Sequence, residues 1–199
     1  MKKFMKILIP LMLAALLAGC ATSSPTRFYT LSAVSEPAAA APQANYSVSV
    51  GPVSVPAFVD RQQMVVRTGP NQVFIDEYDR WASPLKDGIG RVIVQDLVSL
   101  LGTGHVTLFP ESSAAGANYR AIIDIRSFET EPGKAATLDA GWTVSSAGSG
   151  QSYRGRTTVT ETARGSGYPD IVAAHSRALG KLSADIAKTI RDMEAQKPQ

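Results

Sequence analysis

Residues 7–17 form a predominantly apolar run, preceded by Lys2, Lys3 and Lys6 and followed by Ala18-Gly19-Cys20. A positive start, an apolar centre and small residues before a cut are the three parts of a secretory signal. A membrane-spanning helix needs about 20 apolar residues, so this shorter run predicts cleavage over permanent insertion. Two constraints on the fold follow. The body is built from the roughly 180 residues that remain, enough for one domain with its own core and too few for two. Cys20 is the only cysteine, so no disulfide staples that body even in a compartment that permits one. Packing alone has to hold it.

The leader also explains the charge. The chain has 20 basic and 17 acidic residues, and the excess of three equals the three leader lysines. The processed chain is balanced, has no polybasic cluster and offers no electrostatic footing for nucleic acid.

Leu17-Ala18-Gly19-Cys20 resembles the lipobox of bacterial lipoproteins. The resemblance implies cleavage before Cys20, diacylation of its thiol and acylation of the new amine by palmitate-type chains. One acyl chain binds a bilayer marginally and several anchor it stably, at about 0.8 kcal/mol per buried methylene. By the same resemblance, Ala21 in place of an aspartate sends the protein to the outer membrane, facing the periplasm. The tether 20–27 reaches about 25 Å when extended, which keeps the body near the bilayer.

Beyond the tether the pattern alternates between strands and helices. Phe28-Tyr29-Thr30-Leu31 reads as a strand, and the alanine- and proline-rich segment 32–45 as a loop. Tyr46, Val48 and Val50 share one face of a half-buried strand that Gly51-Pro52 interrupts and Val53 and Val55 continue. Segments 64–67 and 72–78 flank the turn Thr68-Gly69-Pro70-Asn71 and predict a hairpin. Ser83 and Pro84 suit the N-cap and first position of a helix whose stripe is Leu85, Ile89, Val92, Leu97, Leu100 and Leu101, stopped by Gly102. Segment 105–109 is a short strand ended by Pro110. Tyr119, Ala121, Ile123 and Ile125 alternate with charged residues in a strand expected to be central. Ala136, Leu138, Ala140, Trp142 and Val144 line one face of the next strand. Segment 151–164, dense in threonine and arginine, is a solvated strand. After Gly165-Ser166-Gly167, a helix from about Pro169 carries Ile171, Ala174, Ala178, Leu182, Ile186, Ile190 and Met193 at helical spacing. The expected fold class is α/β (α+β): one domain over 28–199, a mixed β-sheet with both amphipathic helices on one face.

Catalytic chemistry is missing from this pattern. Of the two histidines, His105 starts a strand and His175 lies beside the last helix's apolar stripe, a core or boundary position. Asp76, Glu77 and Asp79 lack calcium-loop spacing and read as a solvated strand end. Gly165-Ser166-Gly167 lacks the context of a nucleophile elbow, and Gly102-Thr103-Gly104 ends a helix where a phosphate loop would begin one. No metal, cofactor or catalytic residue is expected, and the chain reads as not an enzyme. Trp142 suits core packing, whereas Trp81, among charged residues, suits an interface as well as a core.

Several stretches in order carry a family resemblance: Phe28-Tyr29-Thr30-Leu31, Val50-Gly51-Pro52-Val53-Ser54-Val55-Pro56, Asp60-Arg61-Gln62-Gln63-Met64-Val65-Val66-Arg67 and Arg80-Trp81-Ala82-Ser83-Pro84-Leu85. They resemble the ABC-type transport auxiliary lipoproteins, and within them the PqiC (YmbA)-like group. The resemblance implies an outer-membrane lipoprotein that docks a mammalian-cell-entry (MCE) substrate-binding protein of the PqiB-like kind. An inner-membrane transporter would complete a route for lipids or other hydrophobic molecules. Because MCE proteins form rings, a ring-shaped homo-oligomer is the matching expectation, since shared symmetry multiplies weak contacts. Asp60, Arg61, Arg80 and Trp81 cluster near strand ends and are the candidate docking residues. The alternative is a structural scaffold or assembly lipoprotein of the envelope outside any transport route.

Overall fold

A computed structural model describes residues 25–34, 45–111, 114 and 116–197. The leader, Cys20, Ala21 and most of the loop 32–45 lie outside the described residues. In chain order the elements are β1 (Arg27–Tyr29), β2 (Val48–Ser54), β3 (Gln63–Gly69), β4 (Gln72–Trp81), α1 (Leu85–Leu101), β5 (Val106–Leu108), β6 (Tyr119–Glu131), β7 (Ala135–Ser146), β8 (Ser152–Thr162) and α2 (Tyr168–Ala195). The fold is a mixed α+β domain with two helices against a multi-stranded open sheet.

That sheet has the order β5-β2-β6-β7-β8. β2 runs parallel to both β5 and β6, and β6, β7 and β8 are successive antiparallel hairpins. Alternation decides which face is covered. Tyr119, Ala121, Ile123 and Ile125 of β6 are buried, while Arg120, Asp124 and Arg126 face solvent. Val48 and Val50 pair with Tyr119 and Ala121, and Val144 and Ala140 with Ala121 and Ile125, which continues one apolar face across three strands. α1 packs on β2 and β5, and α2 on β6, β7 and β8, so both helices cover that face.

The strands divide between two sheets, a division that periodicity leaves open. β1, β4 and β3 form a separate three-stranded sheet in the order β1-β4-β3, with β1 parallel and β3 antiparallel to β4. Met64, Val65, Val66 and Trp81 are buried in it. Arg67 of β3 reaches Glu129 of β6 through two hydrogen bonds of 3.0 and 2.7 Å.

Three local expectations change. β2 passes through Gly51-Pro52 with a register shift between Val50 and Val53, so the interruption is a bulge, at a glycine whose φ is 116°. β4 extends to Trp81 because β1 draws it out: Ala82 N–H donates to Tyr29 C=O at 2.9 Å. α1 therefore begins one residue later, at Leu85, with Pro84 as its N-cap and no side-chain cap. Ser83 Oγ instead accepts a 2.6 Å hydrogen bond from Arg91 Nη2. At the other end Gly102 adopts the left-handed conformation, φ 66°, and donates to Val98 C=O, as its position suggested.

Candidate functional site: a groove beside the first strand

β1 and the residues after it run beside α2 and leave an open groove of about 1060 Å³. One wall is Phe28, Tyr29, Thr30, Ser32 and Val34. Across it, α2 presents Ala173, Ser176, Gly180 and Ala184, whose spacing of three and four places small side chains along one helical stripe. Small residues leave room that larger ones would fill. Phe28 and Val34 are exposed apolar side chains on the other wall. The rim is cationic: Arg164, Arg177 and Lys181 line it together with one acid, Glu161. Lys181 and Arg177 both bind Glu161, the latter at 2.9 Å, and Arg177 Nη2 donates to Thr162 C=O at 2.7 Å. The Lys181 hydrogen bond, against partial burial and with help from Arg177, holds the Glu161 carboxyl below the usual carboxylate range.

The first wall is bolted in place by buried acids. Arg27 donates to Asp79 through Nε at 2.8 Å and Nη2 at 2.6 Å, and Tyr29 OH donates to Asp79 Oδ1 at 2.7 Å. Burial first, then that hydrogen bond, pushes the Tyr29 phenol up to about 12. Tyr168 OH donates to Asp76 Oδ2 at 2.7 Å, and Asp76 Oδ1 accepts the N–H groups of Tyr78 and Asp79. Burial works against ionisation of Asp76, but these three hydrogen bonds and the Arg27 charge outweigh it and hold its carboxyl low. Further along, Ser32 N–H donates to Ser176 Oγ and Val34 N–H to Asp96 Oδ1.

This corrects the reading of the acids as a solvated strand end. Glu77 is exposed, but Asp79 is 1% exposed and is the anchor of β1. Its neighbours are non-local, from 50 and more residues away, and no spacing rule brings them together. Asp79→Asn removes the charge that Arg27 and Tyr29 share and is expected to cost about 2 kcal/mol. Urea unfolding measures the cost, and hydrogen exchange should show the Ala82 amide losing protection first.

The candidate docking residues meet different fates. Asp60 and Arg61 lie in the turn before β3, and Arg80 lies near the end of β4. Asp60 lies 3.6 Å from Lys86, Arg80 pairs with Glu77 at 3.3 Å, and Arg61 is exposed. Trp81 is buried, edge-on to Phe128 and His175, and offers no ring to a partner. His175 is fully buried, stacked on Phe128 with 3.9 Å between ring centroids, and its Nε2 lies 2.9 Å from Thr130 Oγ1. Trp142 is half-buried on the helix-covered face. Among the described residues, no group of three or more His, Cys, Asp or Glu is placed to hold a metal, and no helix is long and apolar enough to cross a membrane.

Residues 29–187 match the family described as the ABC-type transport auxiliary lipoprotein component. The chain belongs to that family. Two solved structures share the fold. One, an uncharacterized protein, has a TM-score of 0.68 at 21% identity, covering 84% of this chain and 99% of the other. The second, from Xanthomonas campestris, has a TM-score of 0.68 at 18% identity and covers 85% of this chain and 100% of its own. No curated protein matches. The family match spans both walls of the groove, from Tyr29 through the α2 stripe. Sequence reasoning missed the groove: of its small α2 residues Ala173 and Ala184 are exposed, but Ser176 and Gly180 are buried and do not stand apart from the core stripe in the sequence.

Proposed function

We propose that this chain is an outer-membrane-anchored lipoprotein of an MCE/ABC-type intermembrane transport system, non-catalytic, which docks the periplasmic MCE protein and supports passage of hydrophobic molecules. The observation that carries the reading is the groove. It is apolar along Phe28, Val34 and Val172, rimmed by three cations against one carboxylate, and built on the strand that directly follows the tether. A pocket of this size and lining suits an amphipathic molecule with an anionic head. Cys20 supplies the anchor, and the chemistry of the route is positional: one end is fixed at the membrane. Asp60, Arg61 and Arg80 supply polar side chains for the partner.

Crosslinking pull-downs from intact envelopes, with wild type and Cys20→Ser, test the reading. Recovery of an MCE protein and transporter subunits with wild type, and loss of function in the unanchored form, are expected. Recovery of envelope-assembly proteins alone would move the assignment to a scaffold. For the groove itself, Ala173 is exposed, so Ala173→Trp should leave stability within about 0.5 kcal/mol. It should nonetheless fill the groove and abolish rescue of envelope integrity in cells lacking the protein.

A further inference from the structure

β8 is the long free edge of the five-stranded sheet. It runs 11 residues without proline and pairs with β7 with no register shift. Two flanking hydrogen bonds fix which backbone groups that pairing uses: Ser146 N–H to Gln151 C=O, and Ala163 N–H to Lys134 C=O, both 2.9 Å. Alternation then turns the N–H and C=O of Tyr153, Gly155, Thr157, Val159 and Glu161 toward β7. Those of Ser152, Arg154, Arg156, Thr158, Thr160 and Thr162 point outward, and all six residues are exposed; Arg177 takes the Thr162 C=O, which leaves the stretch from Ser152 to Thr160 for a partner. Among the described residues, β8 packs chiefly on β7 and α2, and no strand pairs with this edge. The opposite edge, β5, has three residues.

An uncovered edge of this length is a template for another strand. The side chains say which kind. The uncovered face beside it carries Arg120, Arg126, Arg154 and Arg156 against Asp124 and Asp139, with Glu129 and Glu131 further along β6 already paired to Arg67 and Lys134. Asp139 is taken by Arg156 through two bonds of 2.8 and 2.7 Å, and Asp124 lies 3.7 Å from Arg126. Arg154 has no carboxylate partner among the described residues. A second copy offers the arginines no acid. The antiparallel register that overlaps the whole strand leaves the two copies of Arg156 diagonal across the junction, shifts toward the N-terminal end set arginine against arginine, and shifts toward the C-terminal end set it against threonine. A strand with acids at alternate positions meets the arginines and the free backbone groups together.

We infer that the β8 edge is a docking site for an extended acidic segment of a partner protein, which adds to the sheet as a sixth strand. This goes beyond the transport reading and stands without it. The main-chain pairing gives affinity and the alternating arginines give sign and register.

The test uses the processed chain carrying Cys20→Ser and 11-residue Thr-Glu, Thr-Gln and Thr-Lys alternating peptides. The Thr-Glu peptide should bind at least tenfold tighter than Thr-Lys, weaken with salt, and protect the amides of Arg154, Arg156, Thr158 and Thr160 from exchange. Thr158→Pro removes an outward N–H and no backbone bond to β7, and of its side-chain bonds loses only the exposed 3.3 Å one from Oγ1 to Asp139, so it should leave the fold intact and abolish binding. Arg154→Glu keeps every backbone group and should narrow or reverse the preference for acid. Equal binding of all three peptides, protection of other amides, or an Arg154→Glu variant with unchanged preference would overturn the inference. So would self-association of wild type that Thr158→Pro abolishes, because the edge would then belong to a second copy.

Discussion

Between pH 7 and pH 4.5 the folded protein should lose about 3 kcal/mol of stability, and His175→Gln should remove most of that loss. His175 is completely buried, and burial pushes its imidazole down from 6.5 to about 3. The unfolded chain therefore binds a proton below pH 6.5 that the folded chain refuses until about pH 3. Where the unfolded state binds more protons, stability rises with pH, so it is full above 6.5 and falls as pH drops through that window. The slope of one such group is about 1.4 kcal/mol per pH unit. Asp76, Asp139, Glu161 and Glu194 also sit below their ordinary values, but their contributions are lost only as pH falls through the carboxylate range. The interval above about pH 5.5 thus isolates the histidine, and below it the carboxylates begin to add. Glutamine retains a polar partner for Thr130 Oγ1, 2.9 Å from Nε2, and does not titrate. Urea midpoints at half-unit pH steps decide the matter, and parallel wild-type and His175→Gln curves between pH 6.5 and 4.5 would refute the assignment.

That histidine shows how far the sequence carries. Its place beside the stripe of Ile171, Ala174 and Ala178 marks a core position, and the structure puts it there. The same local logic recovers the β3–β4 hairpin, the left-handed stop at Gly102, the central β6 and both apolar helix stripes, because each depends on neighbours within a few residues. It fails where the partner is far away. Nothing near Asp79 announces Arg27 and Tyr29, so an acid that anchors a parallel strand reads as solvated. Trp81 reads as equally suited to surface and core because the residues that enclose it, Phe128 and His175, come from β6 and α2. The groove is illegible for the same reason: one wall precedes β2 and the other is the last helix. The division into two sheets follows from β1 pairing with β4 rather than with the larger sheet.

Gly155→Ala should destabilise the fold by about 2 kcal/mol although it adds a single methyl to a strand. Gly155 pairs with Trp142 across β7 and β8, and the indole lies over it, so a Cβ would fall well inside van der Waals distance of the ring. The ring has little freedom to retreat. Trp142 Nε1 donates to Thr157 Oγ1 at 3.0 Å, and Thr157 Oγ1 donates to Asp185 Oδ2 of α2 at 2.6 Å, a chain that ties β7 and β8 to the helix above them. Displacing the indole breaks its bond to the buried Thr157 hydroxyl. If this steric account is right, the sign of the effect depends on the indole. With Trp142→Ala already in place, Gly155→Ala meets no ring and should stabilise by about 0.5 kcal/mol, because alanine loses less backbone entropy in a strand than glycine does. A double-mutant cycle should therefore give a coupling of about 2.5 kcal/mol, larger than either neighbouring hydrogen bond alone explains. A Gly155→Ala cost that persisted unchanged in the Trp142→Ala background would place the strain in the backbone of β8 instead of at the ring.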